Sequence, residues 1–343
     1  MGLRRPMSAE PGSPTSIAIT GASGALGAHV VRDLLRTHAG RLRALTHRTP
    51  LPADVVLAGI DVHRGSLLDR AALDRWLSPG ATVIHLAYPS SMSIDDHRRA
   101  VETLADACAA AGVRRVVHCS TAVVAGRTPE RRVTEATPCL PVTPYERIKH
   151  DLETVFARGA GGRFPLVIAR PTAVFGPGLR NAVALLEALE RGSPVVNYLR
   201  GSLYGRRQLH LVPVETVARA LRFLALDLPD EAAAAPGRAA RPRRFIISTD
   251  HLPGGDFRTV EGRLRRALGL GALPSLVLPV PPAALRLLLR AAGRSDADPQ
   301  RIYDGSALER AGFRAPVTLA DALDRYAGWW RGHTAAPAAG ATA

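Results

Sequence analysis

The chain has 343 residues, of which 46% are hydrophobic and 22% charged, enough apolar material for one large domain or two interleaved ones. No apolar run reaches the ~18–20 residues that cross a bilayer, and the N-terminal residues hold no hydrophobic signal core. Three cysteines without metal-like spacing argue against a disulfide scaffold and predict no metal site. These features predict a soluble cytoplasmic protein.

The charge balance is strongly basic, with 45 Lys and Arg against 30 Asp and Glu and an isoelectric point near 11.1. Lys149 is the only lysine, so nearly all of the positive charge comes from arginines spread over every segment. A nucleic-acid-binding protein would gather them in a stripe or motif. The composition therefore predicts no nucleic-acid partner and is compatible with a small anionic substrate.

The first half of the chain alternates short β-rich runs with helical patterns, which is typical of a parallel sheet covered by helices. Strands are predicted at 16–20, 42–46, near Val62, and at 82–86, 115–119 and 166–169. Helices are predicted at 25–37, 69–77, 97–111 and 145–158. Asp69 is the expected N-cap of the second helix, and Gly112 the expected end of the third.

After Pro171 the alternation weakens. Helices are predicted at 181–191 and 214–226, a strand at 245–248, and a solvated loop at 229–244. The Leu- and Pro-rich segment 276–290 is open to two interpretations, contact with a membrane surface or packing of a small C-terminal lobe. Packing is favoured, because its two arginines do not make a long basic face.

A glycine turn, Thr20-Gly21-Ala22-Ser23-Gly24-Ala25-Leu26-Gly27, lies directly between the first strand and the first helix. Glycines at these positions permit a tight turn, close approach of the backbone to a pyrophosphate, and close helix–sheet packing. The helix N-terminus then presents N–H groups and a partial positive charge to the phosphates. The turn therefore predicts a dinucleotide site.

The end of the second strand bears on the choice of dinucleotide. NAD sites typically have an acidic residue there for the ribose 2′-hydroxyl, whereas NADP sites need donors or cations for a 2′-phosphate. Here the strand ends in Thr46, His47 and Arg48. NADP(H) is therefore favoured, with NAD(H) as the alternative.

These patterns predict an α/β fold, a Rossmann-type doubly wound parallel sheet with a smaller, mostly C-terminal substrate-binding lobe. Residues 15–178 are expected to form the NAD(P)-binding domain and residues 179–332 the lobe, with some of its strands and helices returning to the first domain. Residues 1–14 and 333–343 are expected to be disordered tails.

Tyr145 and Lys149 are four residues apart on a predicted helix and therefore lie on one face. A nearby ammonium favours the phenolate form, which makes a tyrosine a workable general acid or base. In a chain that otherwise uses arginine, a single lysine at this spacing favours a catalytic pair over a solvated surface lysine.

Together these motifs resemble the extended short-chain dehydrogenase/reductases, in the NAD(P)-dependent epimerase/dehydratase group that handles nucleotide sugars. Further matching pieces are Ser120-Thr121, His85-Leu86-Ala87 and the segment from Arg170 to Gly178. The resemblance implies that Tyr145 is the catalytic acid/base, and that Lys149 tunes it and holds the nicotinamide ribose. Thr121, with Ser120 as its neighbour, would polarise the substrate carbonyl.

The resemblance also implies sets of binding residues. The implied cofactor-binding residues are Thr20, Gly21, Ser23, Gly24, Ala25, Leu26, Gly27, Thr46, His47, Arg48, Ser66, Leu67, Leu86, Ala87, Lys149 and Pro171. The candidate substrate-binding residues are Tyr88, Arg180, Arg206 and Arg207. Similar proteins usually dimerise through two helices each, which this sequence neither supports nor excludes.

The chain departs from the family pattern at four places. Ser66 stands where an acid often contacts adenine, and Ala125 replaces a frequent tyrosine. Leu209 replaces an arginine often used on the nucleotide diphosphate. The Asp-Glu pair that dehydratases carry after the threonine is Ala122-Val123 here. Because these side chains cannot transfer protons, dehydration is not expected.

The sequence therefore predicts a reductase, in which hydride reaches a ketone and Tyr145 protonates the forming alkoxide. A 4-keto nucleotide sugar is the expected substrate class, because the positive charge suits a diphosphate. The alternatives are an NAD-dependent nucleotide-sugar epimerase, a reductase of hydrophobic ketones, and a non-catalytic cofactor-binding protein.

Overall fold

The computed structural model describes residues 16–38, 41–230, 241–271, 281–291 and 298–335. Four predicted segments lie wholly or partly outside the described residues: the N-terminal tail, the C-terminal tail beyond Ala335, most of the loop at 229–244, and the first part of 276–290.

The strands of the described residues, in chain order, are β1 (Ile17–Thr20), β2 (Leu42–Thr46), β3 (Asp61–Arg64), β4 (Thr82–His85), β5 (Arg115–Cys119), β6 (Arg132–Val133), β7 (Leu166–Pro171), β8 (Ala173–Phe175), β9 (Leu211–Pro213), β10 (Arg243–Ile247) and β11 (Ile302–Tyr303).

The helices of the same residues are α1 (Ala25–Thr37), α2 (Ala53–Leu57), α3 (Arg70–Trp76), α4 (Ile94–Ala111), α5 (Pro144–Ala160), α6 (Val183–Arg191), α7 (Pro194–Tyr204), α8 (Val214–Leu226), α9 (Phe257–Ala267), α10 (Pro282–Ala291), α11 (Ser306–Arg310) and α12 (Leu319–Ala335). A short 3₁₀ helix spans Ala122–Ala125.

Seven strands form the central sheet in the order β10-β7-β5-β4-β1-β2-β3, and the pairs from β3 to β5 are parallel. The predicted Rossmann-type α/β fold is confirmed. β1 and β4 are buried along their whole length, as expected for central strands covered on both faces. Because the strand order reverses between these two neighbours, a crevice opens beyond their carboxyl ends, where such sheets bind ligands.

The helix caps follow the sequence closely in the first half of the chain. The Asp69 carboxylate accepts a hydrogen bond from Ala72 N at 3.1 Å, and Gly112 ends α4 in the left-handed conformation. The start of α4 was predicted three residues too late. The Ser93 hydroxyl accepts from Asp96 N at 3.1 Å, so the helix begins at Ile94.

The chain forms two compact units, each assembled from separated segments. The first contains the residues up to Cys119 and the segments Leu152–Ile168 and Leu224–Arg243. The second contains Ser120–Asp151, Ala169–Phe223 and the residues from Arg244 onward.

The second unit holds elements that the sequence pattern did not predict. Four described helices, α7, α9, α11 and α12, and the two small parallel sheets β8–β9 and β6–β11 all belong to it. One apolar cluster of this unit gathers around Phe175, Leu186, Leu264, Tyr326 and Trp330. β8 and β9 have three residues each, too few for an alternation of buried and exposed side chains to be recognised.

The helix in the Leu/Pro-rich segment is α10, and its packing was predicted only in part. Leu285 and Leu289 are buried against Leu203 and Tyr204, while other leucines of the helix are exposed. Among the described helices, none has both the length and the apolar character that a transmembrane span requires.

Candidate active site

The glycine turn after β1 is built so tightly that two of its glycines cannot carry a side chain. Gly21 has a φ of 72°, and a Cβ there would lie 2.7 Å from Ala87 N. A Cβ on Gly27 would lie 2.1 Å from the carbonyl oxygen of Gly21, so this glycine lets α1 pack against the turn. The first and third glycines thus have the roles in turn geometry and helix packing that a dinucleotide motif requires.

The N-terminus of α1 opens beyond this turn. Gly24 is the N-cap; no side chain caps the helix, and its first turn contains no acidic residue. A Cβ on Gly24 would meet only the Gly21 carbonyl oxygen, at 3.3 Å, so the backbone here can approach a ligand closely. Uncapped N–H groups and the positive end of the helix dipole make this a site for phosphate.

Thr20 connects the ends of the two central strands. Its hydroxyl oxygen accepts hydrogen bonds from Leu86 N and Ala87 N, both at 3.3 Å. The same oxygen lies 2.7 Å from Nδ1 of His85, and both side chains are buried. The network holds the backbone after β4 against the glycine turn.

A cavity of about 570 Å³ lies at this edge of the first unit. Its walls come from the glycine turn, the ends of β2, β3 and β4, and the start of α4. The lining residues are Thr20, Gly21, Ser23, Gly24, Leu45, Thr46, His47, Arg48, Thr49, Gly65, Ser66, Leu67, Leu68, Leu86, Ala87, Tyr88, Pro89, Ser91, Met92 and Asp96.

The end of β2 supplies this cavity with a polar and basic wall. His47 and Arg48 are exposed, and Thr46 is buried, with its hydroxyl 3.4 Å from the carbonyl oxygen of His63. The acidic residue among the lining residues is Asp96, on α4, and its hydrogen bonds with Arg99 and Ser93 lower its pKa. An opening of this size, with a phosphate-binding turn and a basic end, fits a dinucleotide.

Most of the predicted cofactor residues of the first unit line this one cavity. Ala25, Leu26 and Gly27 instead belong to the first turn of α1 and are not lining residues. Tyr88, predicted to bind substrate, lines the cavity, where it stacks on His97 with ring centres 4.5 Å apart. Burial raises the pKa of the Tyr88 phenol.

The second unit carries the predicted catalytic side chains, and a capping box positions the first turn of α5. The Thr143 hydroxyl accepts from Glu146 N at 3.2 Å. One oxygen of the Glu146 carboxylate accepts from Val142 N at 2.7 Å and Thr143 N at 3.1 Å. This reciprocal arrangement fixes the turn that bears Tyr145.

Tyr145 and Lys149 lie one helical turn apart on α5 and differ sharply in exposure. Tyr145 is 46% exposed, whereas Lys149 is 4% exposed. An ammonium is rarely buried without polar or charged neighbours, because desolvation is costly. The only lysine of the chain is therefore buried, unlike the exposed arginines that supply most of the positive charge.

Ser120 and Thr121 follow directly after β5 and are both buried. Ser120 N donates to the carbonyl oxygen of Ala169 at 2.7 Å, and the Thr121 hydroxyl oxygen lies 3.5 Å from Val123 N at the start of the 3₁₀ helix. That helix consists of Ala, Val, Val and Ala, so it brings no carboxylate next to Thr121.

Sequence reasoning missed the side chain that anchors the loop after this helix. Arg301 is buried and donates to the carbonyl oxygens of Gly126 at 2.8 Å and Thr128 at 2.6 Å. A Cβ on Gly126 would lie 1.9 Å from the carbonyl oxygen of Leu140, so that residue must be glycine. Arg301 is about 170 residues distant in sequence, and no local pattern connects the two segments.

The candidate substrate residues of the second unit are placed as follows. Arg180 and Arg206 are exposed, and the guanidinium of Arg207 lies 5.9 Å from the ring centre of Tyr204. Leu209 packs against the apolar cluster around Phe175 and Tyr326. Pro171, a predicted cofactor neighbour, is buried at the end of β7.

A second unpredicted feature is a histidine–aspartate pair beside Leu209. His210 has a φ of 54°, and its Nδ1 lies 2.5 Å from the Asp250 carboxylate. The same carboxylate oxygen accepts from Tyr303 N at 3.1 Å, and the Tyr303 ring meets the imidazole edge-on. These contacts hold a non-glycine residue in the left-handed region, a conformation that costs about 1–2 kcal/mol.

Comparisons with known proteins agree with this fold. Residues 17–232 match the model of the NAD dependent epimerase/dehydratase family. The chain is 28% identical to sterol demethylase protein B of Methylococcus capsulatus over 253 residues, which are 68% of this chain and 69% of that protein.

It is also 33% identical over 181 residues to the (4-alkanoyl-5-oxo-2,5-dihydrofuran-3-yl)methyl phosphate reductase of Streptomyces griseus, covering 52% of this chain and 57% of that reductase. Among solved structures, MoeE5 in complex with UDP-glucuronic acid and NAD superposes with a TM-score of 0.66 at 24% identity. That superposition covers 93% of this chain and 99% of MoeE5.

Proposed function

The chain belongs to the NAD-dependent epimerase/dehydratase family of oxidoreductases, and from that premise we propose that it is an NADPH-dependent reductase. Its substrate is a ketone of a nucleotide-linked sugar or a similar small molecule. The observation that carries the proposal is the basic end of β2 in the dinucleotide cavity, where His47 and Arg48 stand in place of a carboxylate.

The cofactor preference follows from charge at that position. A carboxylate would accept from the 2′-hydroxyl of NAD and repel the 2′-phosphate of NADP, whereas a guanidinium binds phosphate through paired N–H donors. Arg48 and His47 are exposed to the cavity and can move to meet the phosphate. The Thr46 hydroxyl supplies a neutral hydrogen-bonding group beside them.

When bound, the nicotinamide cofactor supplies a hydride to the substrate carbonyl carbon. Tyr145 donates its phenolic proton to the carbonyl oxygen as negative charge develops there. Thr121, with Ser120 beside it, donates a hydrogen bond to the same oxygen. Lys149 favours the phenolate that remains and so lowers the cost of proton transfer.

The residues after Thr121 support reduction over dehydration. Ala122 and Val123 form the start of an apolar 3₁₀ helix, so neither position supplies an acid to protonate a leaving hydroxyl or a base to remove an α-proton. A reductase needs only one proton donor and the hydride, and Tyr145 provides the former. An epimerase would use the same residues with tightly held NAD and remains the principal alternative.

A second substrate class is supported by the environment of Leu209. This side chain packs against the apolar cluster of the second unit and cannot serve the nucleotide diphosphate. The relative matched over 68% of this chain is named a sterol demethylase protein. Both observations favour a reductase of hydrophobic ketones as the second candidate.

The proposal is tested first by cofactor titration of the purified protein. We expect tighter binding of NADPH than of NADH, and Arg48→Ala should weaken NADPH binding about tenfold while leaving NADH binding unchanged. Arg36→Ala is the matched control, because that arginine is exposed on α1 and does not line the cavity. Equal effects of the two substitutions would contradict a 2′-phosphate site at Arg48.

The same experiment continues with turnover, measured as NADPH oxidation against keto-sugar nucleotides and apolar ketones. Tyr145→Phe should lower kcat by about 100-fold or more without changing the Kd of NADPH. Interconversion of sugar epimers with retained NAD and no NADPH consumption would replace the reductase with the epimerase. Unchanged turnover in Tyr145→Phe would exclude the proposed proton donor.

A further inference from the structure

Helix α7 of the second unit has an unusual distribution of side chains. Its outward face carries Val195, Val196 and Leu199, each at least half exposed. Its inward face carries Asn197 and Gly201, both buried, with Asn197 only 1% exposed. A surface helix normally turns its apolar stripe toward the core and its polar residues toward water. This helix does the opposite.

Helix α10 extends the apolar surface. Leu285 and Leu289 cover Leu203, which lies on the same side of α7 as Leu199, one turn further along the helix. Leu287 lies on the side of α10 opposite Leu285 and is 70% exposed, and Leu288, beside the buried leucines, is 47% exposed. α10 therefore buries two of its leucines and exposes two others.

The exposed aliphatic side chains of these two helices define what we call the α7–α10 face, which consists of Val195, Val196, Leu199, Leu287 and Leu288. They make up five of the thirteen large hydrophobic residues exposed in the described part of the chain. Exposed apolar residues scattered singly are normal, whereas a group on adjoining helices marks an interaction surface.

The charged residues of the two helices themselves have one sign. Neither α7 nor α10 contains Asp or Glu, whereas Arg200 lies on α7 and Arg286 and Arg290 lie on α10. Arg206 and Arg207 follow α7 directly. Arg286 pairs with Asp298 at 3.3 Å, and Arg200 interacts with the buried Glu261, so part of this charge is neutralised. Arginines still outnumber these two acidic residues along the two helices and the segment that follows α7.

We propose that the α7–α10 face binds reversibly to the surface of a bilayer that contains anionic phospholipid. Leucine and valine side chains insert among the acyl chains near the headgroups, and the neighbouring arginines bind lipid phosphates. With 11 and 10 residues, the helices are about half the length of a membrane span and lie on the membrane rather than across it.

A second copy of the chain suits this face less well. A symmetric dimer would bring two sets of arginines together with no acidic residue of either helix to pair with them. A stable protein interface also uses roughly 20–30 residues on each side, far more than this face provides. An anionic lipid surface complements the charge of the arginines and requires only a small apolar area on the protein. Binding to such a surface does not depend on which ketone the protein reduces.

The test is co-sedimentation of the full chain with sucrose-loaded vesicles of phosphatidylglycerol and phosphatidylcholine, or of phosphatidylcholine alone. We expect binding to the anionic vesicles that weakens with salt, and little binding to the neutral ones. Leu199→Gln combined with Leu287→Gln should weaken binding about tenfold or more, because two inserted side chains are lost.

The matched control is Leu57→Gln combined with Leu252→Gln, which removes two exposed leucines from other surfaces. Both double variants should keep the circular dichroism spectrum and the turnover of a water-soluble ketone. No sedimentation with anionic vesicles, or equal loss in both double variants, would overturn the proposal. So would a dimer in light scattering that only the α7–α10 variant dissociates, since a second copy would then occupy the face.

Discussion

At the scale of single residues, Gly21 is subject to two separate requirements. Its φ of 72° is a conformation that glycine adopts freely and other residues adopt at a cost of about 1–2 kcal/mol. In addition, the backbone after β4 lies where a Cβ would be, 2.7 Å from Ala87 N. The backbone of Ala87 is held by the Thr20 hydroxyl and cannot move away freely.

These two requirements can be separated with Gly80, whose φ of 70° is nearly the same but whose Cβ would meet nothing within 4 Å. Gly80→Ala should lower the free energy of unfolding by about 1–2 kcal/mol. Gly21→Ala should lower it further and weaken NADPH binding at least about tenfold, because the turn must shift. Urea unfolding measures the free energy of unfolding of the two variants, and cofactor titration measures their affinity for NADPH. If Gly21→Ala and Gly80→Ala lose the same free energy of unfolding and neither changes the cofactor affinity, the close contact at Gly21 is unimportant.

At the scale of elements, the ends of the helices are specified by local side chains. Thr143 and Thr318 are both N-terminal caps, each accepting a hydrogen bond from the N–H three residues later, at 3.2 and 3.1 Å. The first cap precedes the turn that bears Tyr145, whereas the second opens α12. The two threonines therefore offer the same interaction in different places.

Thr143→Ala and Thr318→Ala should each lower the free energy of unfolding by about 1 kcal/mol, because each leaves a backbone donor without its cap. If Tyr145 is the proton donor, Thr143→Ala should also reduce kcat of ketone reduction, since the phenol is no longer held in a fixed turn. Thr318→Ala should leave kcat unchanged. Thermal unfolding measures the stability of the two variants, and steady-state kinetics measures their kcat. Equal kcat values for Thr143→Ala and Thr318→Ala would show that the Thr143 cap has no effect on catalysis.

Element prediction succeeded where signals are local and failed where tertiary contacts decide. The strand, glycine turn and helix from Ile17 to Thr37 are contiguous, and Ser93 and Asp69 are caps readable from neighbouring residues. α7 escaped prediction because its apolar residues face outward and Asn197 faces inward, so its periodicity suggests no buried stripe.

At the scale of the whole molecule, polar contacts connect parts of the second unit that are far apart in the sequence. Asp304 is the clearest case. Burial raises its pKa, but hydrogen bonds from the backbone and side chain of Ser306 and from Arg132 outweigh that effect and lower the pKa to about 2. The Arg132 guanidinium lies 2.6 Å from the carboxylate, across the pair β6–β11.

Because the folded-state pKa of Asp304 is below the unfolded value of about 3.9, this carboxylate stabilises the fold above that value. The contribution is lost as the pH falls from about 4 through about 2. Asp304→Asn should therefore lower the free energy of unfolding by about 1–2 kcal/mol at pH 7 and by much less near pH 2, where half of the folded-state carboxylate is protonated. Asp54→Asn, at an exposed ion pair, is the control and should leave the pH profile unchanged. Denaturant unfolding from pH 2 to pH 7 measures both.

The candidate site was predictable to the extent that its chemistry is concentrated in motifs. The cavity residues from Thr20 to Gly24 and from Thr46 to Arg48 stand in two short segments beside strands, and most of the predicted lining follows from them. His210, Asp250 and Arg301 lie far apart in the chain, and only the folded structure brings each to its partner. No spacing rule can find such pairs in one sequence.

The hydrogen bonds of Arg301 to Gly126 and Thr128 have a consequence during protein synthesis. A ribosome that has just translated Gly126 has still to translate 175 codons before Arg301 is added to the chain. During synthesis the loop that follows Ser120 and Thr121 therefore lacks these two hydrogen bonds until Arg301 has been translated.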